Sequence, residues 1–322
     1  MLLNQELIRL IQHPLHGVSL VHANDDNVST PHSLSLDEAR LMPLPQSARI
    51  WTLTDSGERY QSTIELSRRE QLYQLAIDCE GKGRFSLDMN KKSLTVDWQK
   101  GGTGPAHYIQ TLAISLFLEL NNTLCLHANT LVKDNQAYLF LAPSRTGKST
   151  LTSAMTEQGY QLITDDMAAL YQRDGVFVVY PSWPKVRLWP DSAEHFSRTA
   201  TLQNTTSQRV HARFAKKEIT FKKSLSHKAY PIAGMYLLDR DEKYDHPVTI
   251  STLPASHGLI LLMQNSMLGD AYKALRIDAT RMAHIARLLN TLPFQKVTYP
   301  TGLKALARVT SELDKAIVTA PK

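Results

Sequence analysis

The segment Ala142-Pro-Ser-Arg-Thr-Gly-Lys-Ser149 constrains what this chain can fold into more than any other. A Gly-Lys-Ser loop holds phosphate when successive backbone N–H groups converge on one anion and the next helix adds its positive end. That geometry needs a buried strand before the loop and a helix after it. Residues 137–141 read Ala-Tyr-Leu-Phe-Leu, a buried strand, and 148–158 read as a helix closed by Gly159. In such a cradle Lys148 reaches the β- and γ-phosphates and the Ser149 hydroxyl binds Mg2+. Ala142, Pro143, Ser144, Arg145, Thr146, Gly147 and Thr150 complete the nucleotide-binding set. Ala142 stands where the motif has its first glycine.

A second signal follows the loop. The strand expected over 161–164 delivers Asp165 and Asp166. Phosphate-loop enzymes hold Mg2+ through the loop Ser or Thr and an acidic residue at a strand end. One aspartate can fill that role, and its neighbour is free to accept a proton from an incoming hydroxyl.

Alternating apolar and polar residues predict strands over 48–53, 61–66, 72–78, 84–89 and 93–98, an antiparallel sheet after a short amphipathic helix. Gly101-Gly-Thr-Gly-Pro105 is the strongest breaker. A strand-rich domain is therefore expected over 1–105 and a nucleotide-binding catalytic domain over 106–322. Beyond it the pattern predicts a helix over 107–120 and single strands over 125–132 and 137–141. Further strands are expected near 168–171, 176–179, 186–188, 232–238 and 296–299. Helices are expected over 256–267, 270–289 and 302–317. Strands with helices inserted read as mixed α/β.

The net charge of +6 is mild for 322 residues, and nucleic acid is not an expected partner. Its one local cluster, Lys216, Lys217, Lys222 and Lys223, reads as a solvated strand or loop edge. Cys79 and Cys125 make neither a disulfide framework nor a metal spacing, as in a reducing compartment. The start lacks a signal-peptide pattern and the apolar stretch 108–120 is too short for a membrane span. A cytoplasmic protein without a membrane span is the expectation.

Several elements together resemble the HPr serine kinase/phosphorylase family. They are Leu126-His-Ala128, the strand and loop from Tyr138 to Thr150, Gly159-Tyr-Gln-Leu-Ile-Thr-Asp-Asp166, and Pro184-Lys-Val-Arg-Leu-Trp-Pro190. The last of these marks the HPr-kinase-related branch. The resemblance covers about 107–300 and implies a phosphate-loop kinase core shared with phosphoenolpyruvate carboxykinase, here preceded by a smaller strand-rich domain unlike that of true HPr kinases. It implies ATP, or another nucleoside triphosphate, and Mg2+ as cofactors. It places Asp165 as the base, Asp166 and Ser149 on the metal, and His127 and Arg187 beside the transferred phosphate, with the two aspartate roles open to exchange. Arg145 replaces a family glycine; an arginine at positive φ costs about 1 kcal/mol, which either reshapes the loop or lets Arg145 reach a phosphate itself. Val186-Arg-Leu188 lacks the glutamate of the signature that accompanies phosphorolysis, which argues against HPr as acceptor and against the reverse reaction.

The function this implies is an ATP-dependent kinase of a hydroxyl, on a serine of a peptide or protein or on a small molecule. The N-terminal sheet would recognise that acceptor or make a homo-oligomer contact. The alternatives are a phosphate-loop ATPase or GTPase switch, which lacks a guanine-reading Asn-Lys-x-Asp run after the loop, and a nucleotide sensor without catalysis. Trp183 and Trp189, flanking Arg187, read as packing residues.

Overall fold

The computed structural model describes residues 3, 5–13, 15–22, 30–57, 60–79, 81–99, 104–143, 146–182, 185–197, 205–211, 214–221, 228–242 and 247–319. The chain is mixed α/β with several sheets, and it clusters into two compact units. One comprises 1–123 and 267–281; the other comprises 124–266 and 282–322. The helical run after the glycine-rich segment thus clusters with the N-terminal strands.

The first unit is built on a seven-stranded sheet. Five strands, Arg49–Gly57, Tyr60–Arg69, Leu72–Asp78, Lys82–Asp88 and Ser93–Trp98, form an antiparallel meander, as their alternation demands. The sheet is not wholly antiparallel: His32–Glu38 joins Ser93–Trp98 in parallel, and Val18–Val21 joins His32–Glu38 in parallel. The helical run from Pro105 to Leu120 contains a π turn at Ile109–Ala113. It packs on the sheet through Tyr108 against Trp98 and Phe117 edge-on to His32.

The second unit carries the phosphate-loop motif. Its loop strand, Gln136–Leu141, pairs in parallel with the long strand Tyr230–Asp241 and antiparallel with Asn129–Lys133. The strand Gln161–Thr164 also pairs antiparallel with Asn129–Lys133. The loop strand and the aspartate strand therefore run in the same direction with one strand between them. Their C-terminal ends, and the start of the middle strand, lie at one end of the sheet. Ligands of α/β sheets bind at such ends.

Helices cover both faces of this sheet. The helix Lys148–Met155 buries Leu151, Ala154 and Met155 against Phe140, Tyr236 and the C-terminal residues Val309, Leu313 and Ile317. On the other face Leu139, Leu141 and Met235 pack with Leu262, Ile285 and Leu288. A separate three-stranded sheet, ordered Lys185–Leu188, Phe214–Phe221, Thr205–His211, joins the first of these cores through Val186, Leu188 and Ile219.

Two expectations are corrected here. The single strand over 125–132 is two, Leu124–Leu126 and Asn129–Lys133, which pair at different places in the sheet. The chain breaks between them at His127. The single helix over 270–289 is also two, Ala271–Leu275 and Asp278–Thr291, separated by Arg276 in the left-handed region at φ 60°. Apolar spacing alone does not register such a break, because its phase resumes two residues later.

Candidate active site

Backbone geometry sets the floor of the site. Ala142 is 1% exposed and joins the core beneath the loop, so its methyl group packs where the motif's glycine would leave space. Gly147 has φ 93°, a left-handed conformation that glycine adopts without steric cost, and it opens the helix bearing Lys148, Ser149 and Thr150. Thr146 caps the turn from inside, its Oγ1 donating to the Pro143 carbonyl at 2.7 Å. Thr150 bonds Ser192 through their hydroxyls at 3.0 Å. Ser144 and Arg145 lie outside the described residues.

Lys148 is buried, and its Nζ has no hydrogen-bond partner among the described residues. Burial lowers its pKa, while Asp166 and Asp165 draw it back up. A buried ammonium with three unmet N–H donors is costly, and an anion at the loop would relieve it.

The two aspartates are held differently. Asp165 Oδ1 accepts from Ser149 Oγ at 3.1 Å and from Asn129 Nδ2 at 2.7 Å, and Oδ2 accepts from the Arg187 backbone N–H at 3.1 Å. The last bond closes the free edge of the small sheet onto the site. Asp166 adopts φ 69°, a conformation that aspartate tolerates, and its N–H is accepted by Asn129 Oδ1 at 3.3 Å. Its carbonyl meets His127 Nδ1 at 2.7 Å. Because a carbonyl only accepts, Nδ1 carries the proton, and Nε2 of a neutral ring is left as an acceptor.

These environments pull the two carboxyls apart. Burial, then repulsion from Asp166, pushes Asp165 up to about 7 against the donors that surround it. Burial alone would raise Asp166, but His127 in its protonated form, with Lys148, Arg187 and Lys216, outweighs it and holds that carboxyl below its ordinary value. Burial, then Lys148, lowers the His127 ring. For Asp165 the folded value lies above the unfolded one, so its contribution to stability is complete below the unfolded value of 3.8 and is lost as pH rises through about 7. Asp166, shifted the other way, contributes stability above its unfolded value of 3.8 and loses it only as pH falls below that. Measured against Asp165→Asn, the ligand-free protein is expected to lose melting temperature progressively from about pH 5 to about pH 8, the opposite slopes from the lowered His16, His32 and His127 values being common to both proteins. Parallel pH profiles for the two proteins would show the Asp165 carboxyl to be ionised throughout.

Every described member of the expected set belongs to this second unit. Lys148, Ser149, Asp165, Asp166, His127 and Arg187 come together, while Pro143 is exposed at the loop's outer side. The Arg187 guanidinium is tied by Nε to Glu218 at 3.1 Å, a carboxylate shared with Lys185 at 3.2 Å.

Sequence reading missed Asn129, Lys185, Lys216 and Glu218. Asn129 is wholly buried and braces both aspartates, its amide also donating to Thr152 Oγ1 at 2.9 Å. It stands opposite Phe140 at the end of the loop strand, a placement that only strand register discloses. The two-residue spacing of Lys216 and Glu218 was the available signal for the other wall. Lys217 is exposed, as a solvated edge requires, whereas Lys216 is partly buried; Lys222 and Lys223 lie outside the described residues.

No protein-family model matches the chain, and no curated protein matches it. Among solved structures it is similar to the Hpr(Ser) kinase/phosphatase from Coxiella burnetii, at 14% identity and a TM-score of 0.31 over 60% of this chain and 96% of that one. No helix among the described residues is long and apolar enough to cross a membrane.

Proposed function

We propose that this protein is a Mg2+-dependent phosphotransferase that moves the γ-phosphoryl group of ATP, or another nucleoside triphosphate, to a hydroxyl acceptor on a peptide, a protein or a small molecule. The carrying observation is Lys148, a buried cation at the start of a helix that has no hydrogen-bond partner among the described residues and lies beside two part-buried aspartates. The residues also suit a hard metal ion. Ser149 and Asp165 present adjacent oxygen donors, and no group of three or more His, Cys, Asp or Glu side chains forms a cage among the described residues. Mg2+ is usually held by one or two protein oxygens and the substrate phosphates. When bound it would neutralise charge on the phosphates during transfer.

The geometry favours the exchanged assignment of the two aspartates. Asp165, bonded to Ser149 and braced by Asn129, suits the metal side. Asp166, held ionised by the surrounding cations, would accept the proton from the incoming hydroxyl as a weak base that acts through proximity. His127, fixed by its Nδ1 bond, would offer Nε2 as an acceptor, and Arg187, close enough to act on Asp166, would add positive charge beside the phosphoryl group.

Two substitutions test the assignment. Asp166→Asn should lower transfer about 10²–10⁴-fold while MgATP affinity stays within about threefold. Asp165→Asn should instead raise the Mg2+ concentration needed for half-maximal turnover by about tenfold or more. Transfer is measured with γ-labelled ATP against hydroxyl acceptors. Tight MgATP binding with neither turnover nor a labelled product would leave a nucleotide sensor in place of a kinase.

A further inference from the structure

The wall formed by the small sheet carries more positive charge than its protein partners use. Arg187 pairs with Glu218 and Leu188 with Lys217 across antiparallel strands. Paired residues share a face, and neighbours along a strand alternate. Val186, Leu188 and Ile219 occupy the faces buried in the core. Lys185, Arg187, Lys216 and Glu218 alternate with these and are directed to the site side. Glu218 serves two cations there, Lys185 and Arg187.

Lys216 is held otherwise. Its Nζ lies 5.4 Å from the centroid of the Trp189 ring. Among the described residues no carboxylate stands within ion-pair distance of it. A ring face steadies an ammonium without consuming its N–H donors, so all three remain for a ligand. Lys216 is close enough to act electrostatically on Asp166, His127 and Lys148 together. Surplus positive charge in a partly buried site is unfavourable until an anion balances it.

We propose that Lys216, seated on Trp189, is a second oxyanion-binding residue of this site, which binds either the terminal phosphoryl group of the nucleotide or an anionic group carried by the acceptor. This rests on the phosphotransferase reading and adds a residue that binds oxyanion from the small sheet rather than from the loop. Trp189 is then a platform as well as a packing residue.

The test uses the full chain with Lys216→Met, which keeps an unbranched apolar side chain one atom shorter and removes the charge, and Lys216→Arg, which restores charge. MgATP, MgADP and inorganic pyrophosphate serve as probes by calorimetry, and turnover is compared with glycerate and with glycerol as acceptors. A terminal-phosphoryl contact predicts that Lys216→Met weakens MgATP by about tenfold or more and MgADP by less than about threefold, with recovery in Lys216→Arg. An acceptor contact predicts unchanged nucleotide affinity and loss of the preference for glycerate over glycerol. If the folded Lys216→Met protein matches wild type toward all three probes and both acceptors, Lys216 is not such a residue, while the phosphotransferase reading stands. Wild-type protein that binds pyrophosphate through Lys216 but not MgATP would reverse that outcome, keeping the anion site and removing the kinase. Wild-type protein that binds none of the probes overturns both.

Discussion

Lys148→Met is expected to abolish nucleotide-dependent turnover and, in the same protein, to raise the melting temperature of the ligand-free state. The two effects have one cause. Lys148 is 7% exposed and its ammonium finds no acceptor among the described residues. Burial dominates its electrostatics and disfavours the charged form, with Asp166 and Asp165 offsetting part of the cost. Methionine keeps the chain length and removes the unmet donors, which should stabilise the apo protein by about 1–3 kcal/mol. In a chain of this size that is on the order of 2 °C per kcal/mol. Asp166 would still face His127, Arg187 and Lys216, so its charge is not stranded by the change. With MgATP present the sign reverses, because the variant loses the cation that meets the phosphates. Turnover should fall about 10²–10³-fold or more, and stabilisation by MgATP should disappear. Calorimetric melts with and without MgATP measure both. A variant that melts lower than wild type, or keeps its turnover, would make Lys148 a structural cation.

The second large effect concerns stability of the first unit. Arg281→Met is expected to cost about 3–5 kcal/mol. Arg281 and Glu119 form a buried ion pair, with side chains 5% and 4% exposed. The Arg281 guanidinium also lies 4.3 Å over the Tyr272 ring, and the Tyr272 hydroxyl donates to Glu119 at 3.3 Å. The Leu268 N–H in turn donates to that hydroxyl at 3.2 Å. This network ties the segment 267–281 to the helix Ile114–Leu120. Removing Arg281 alone leaves a buried carboxylate without its ion-pair partner, which is what makes such losses large. Replacing both members, as Glu119→Leu with Arg281→Met, should recover at least half of the loss, because the desolvation cost goes with the charges. Urea unfolding followed in the first unit distinguishes the two variants. A loss under about 1 kcal/mol for Arg281→Met would show that water reaches Glu119.

Legibility varied with the range of the interaction concerned. The strands of the first unit could be read because solvent-facing and core-facing positions alternate within a few residues. The parallel addition of His32–Glu38 to Ser93–Trp98 could not, since nothing local in either strand states its partner. The break at His127 was hidden for a similar reason. Residues 125–132 contain no glycine or proline to mark a break, and their separate partners divide them. Lys216 was read as solvated because neighbouring lysines made a cluster; it alternates onto the strand face that carries Glu218, opposite Arg187, and is partly buried, whereas Lys217 is exposed.

By itself the sequence determined the chemical inventory: a Gly-Lys-Ser turn between a strand and a helix, and two aspartates at the end of the next strand. Spacing along the chain suffices for this, because the turn, the helix start and the strand end are local structures. Tertiary structure alone decided how the inventory is arranged. It put Ser149, Asn129 and the Arg187 backbone on Asp165, left Asp166 among cations, and left Lys148 without a hydrogen-bond partner among the described residues. Each of those outcomes depends on strand order and register, which bring together residues from five separate segments and set which of two adjacent carboxyls meets which charge.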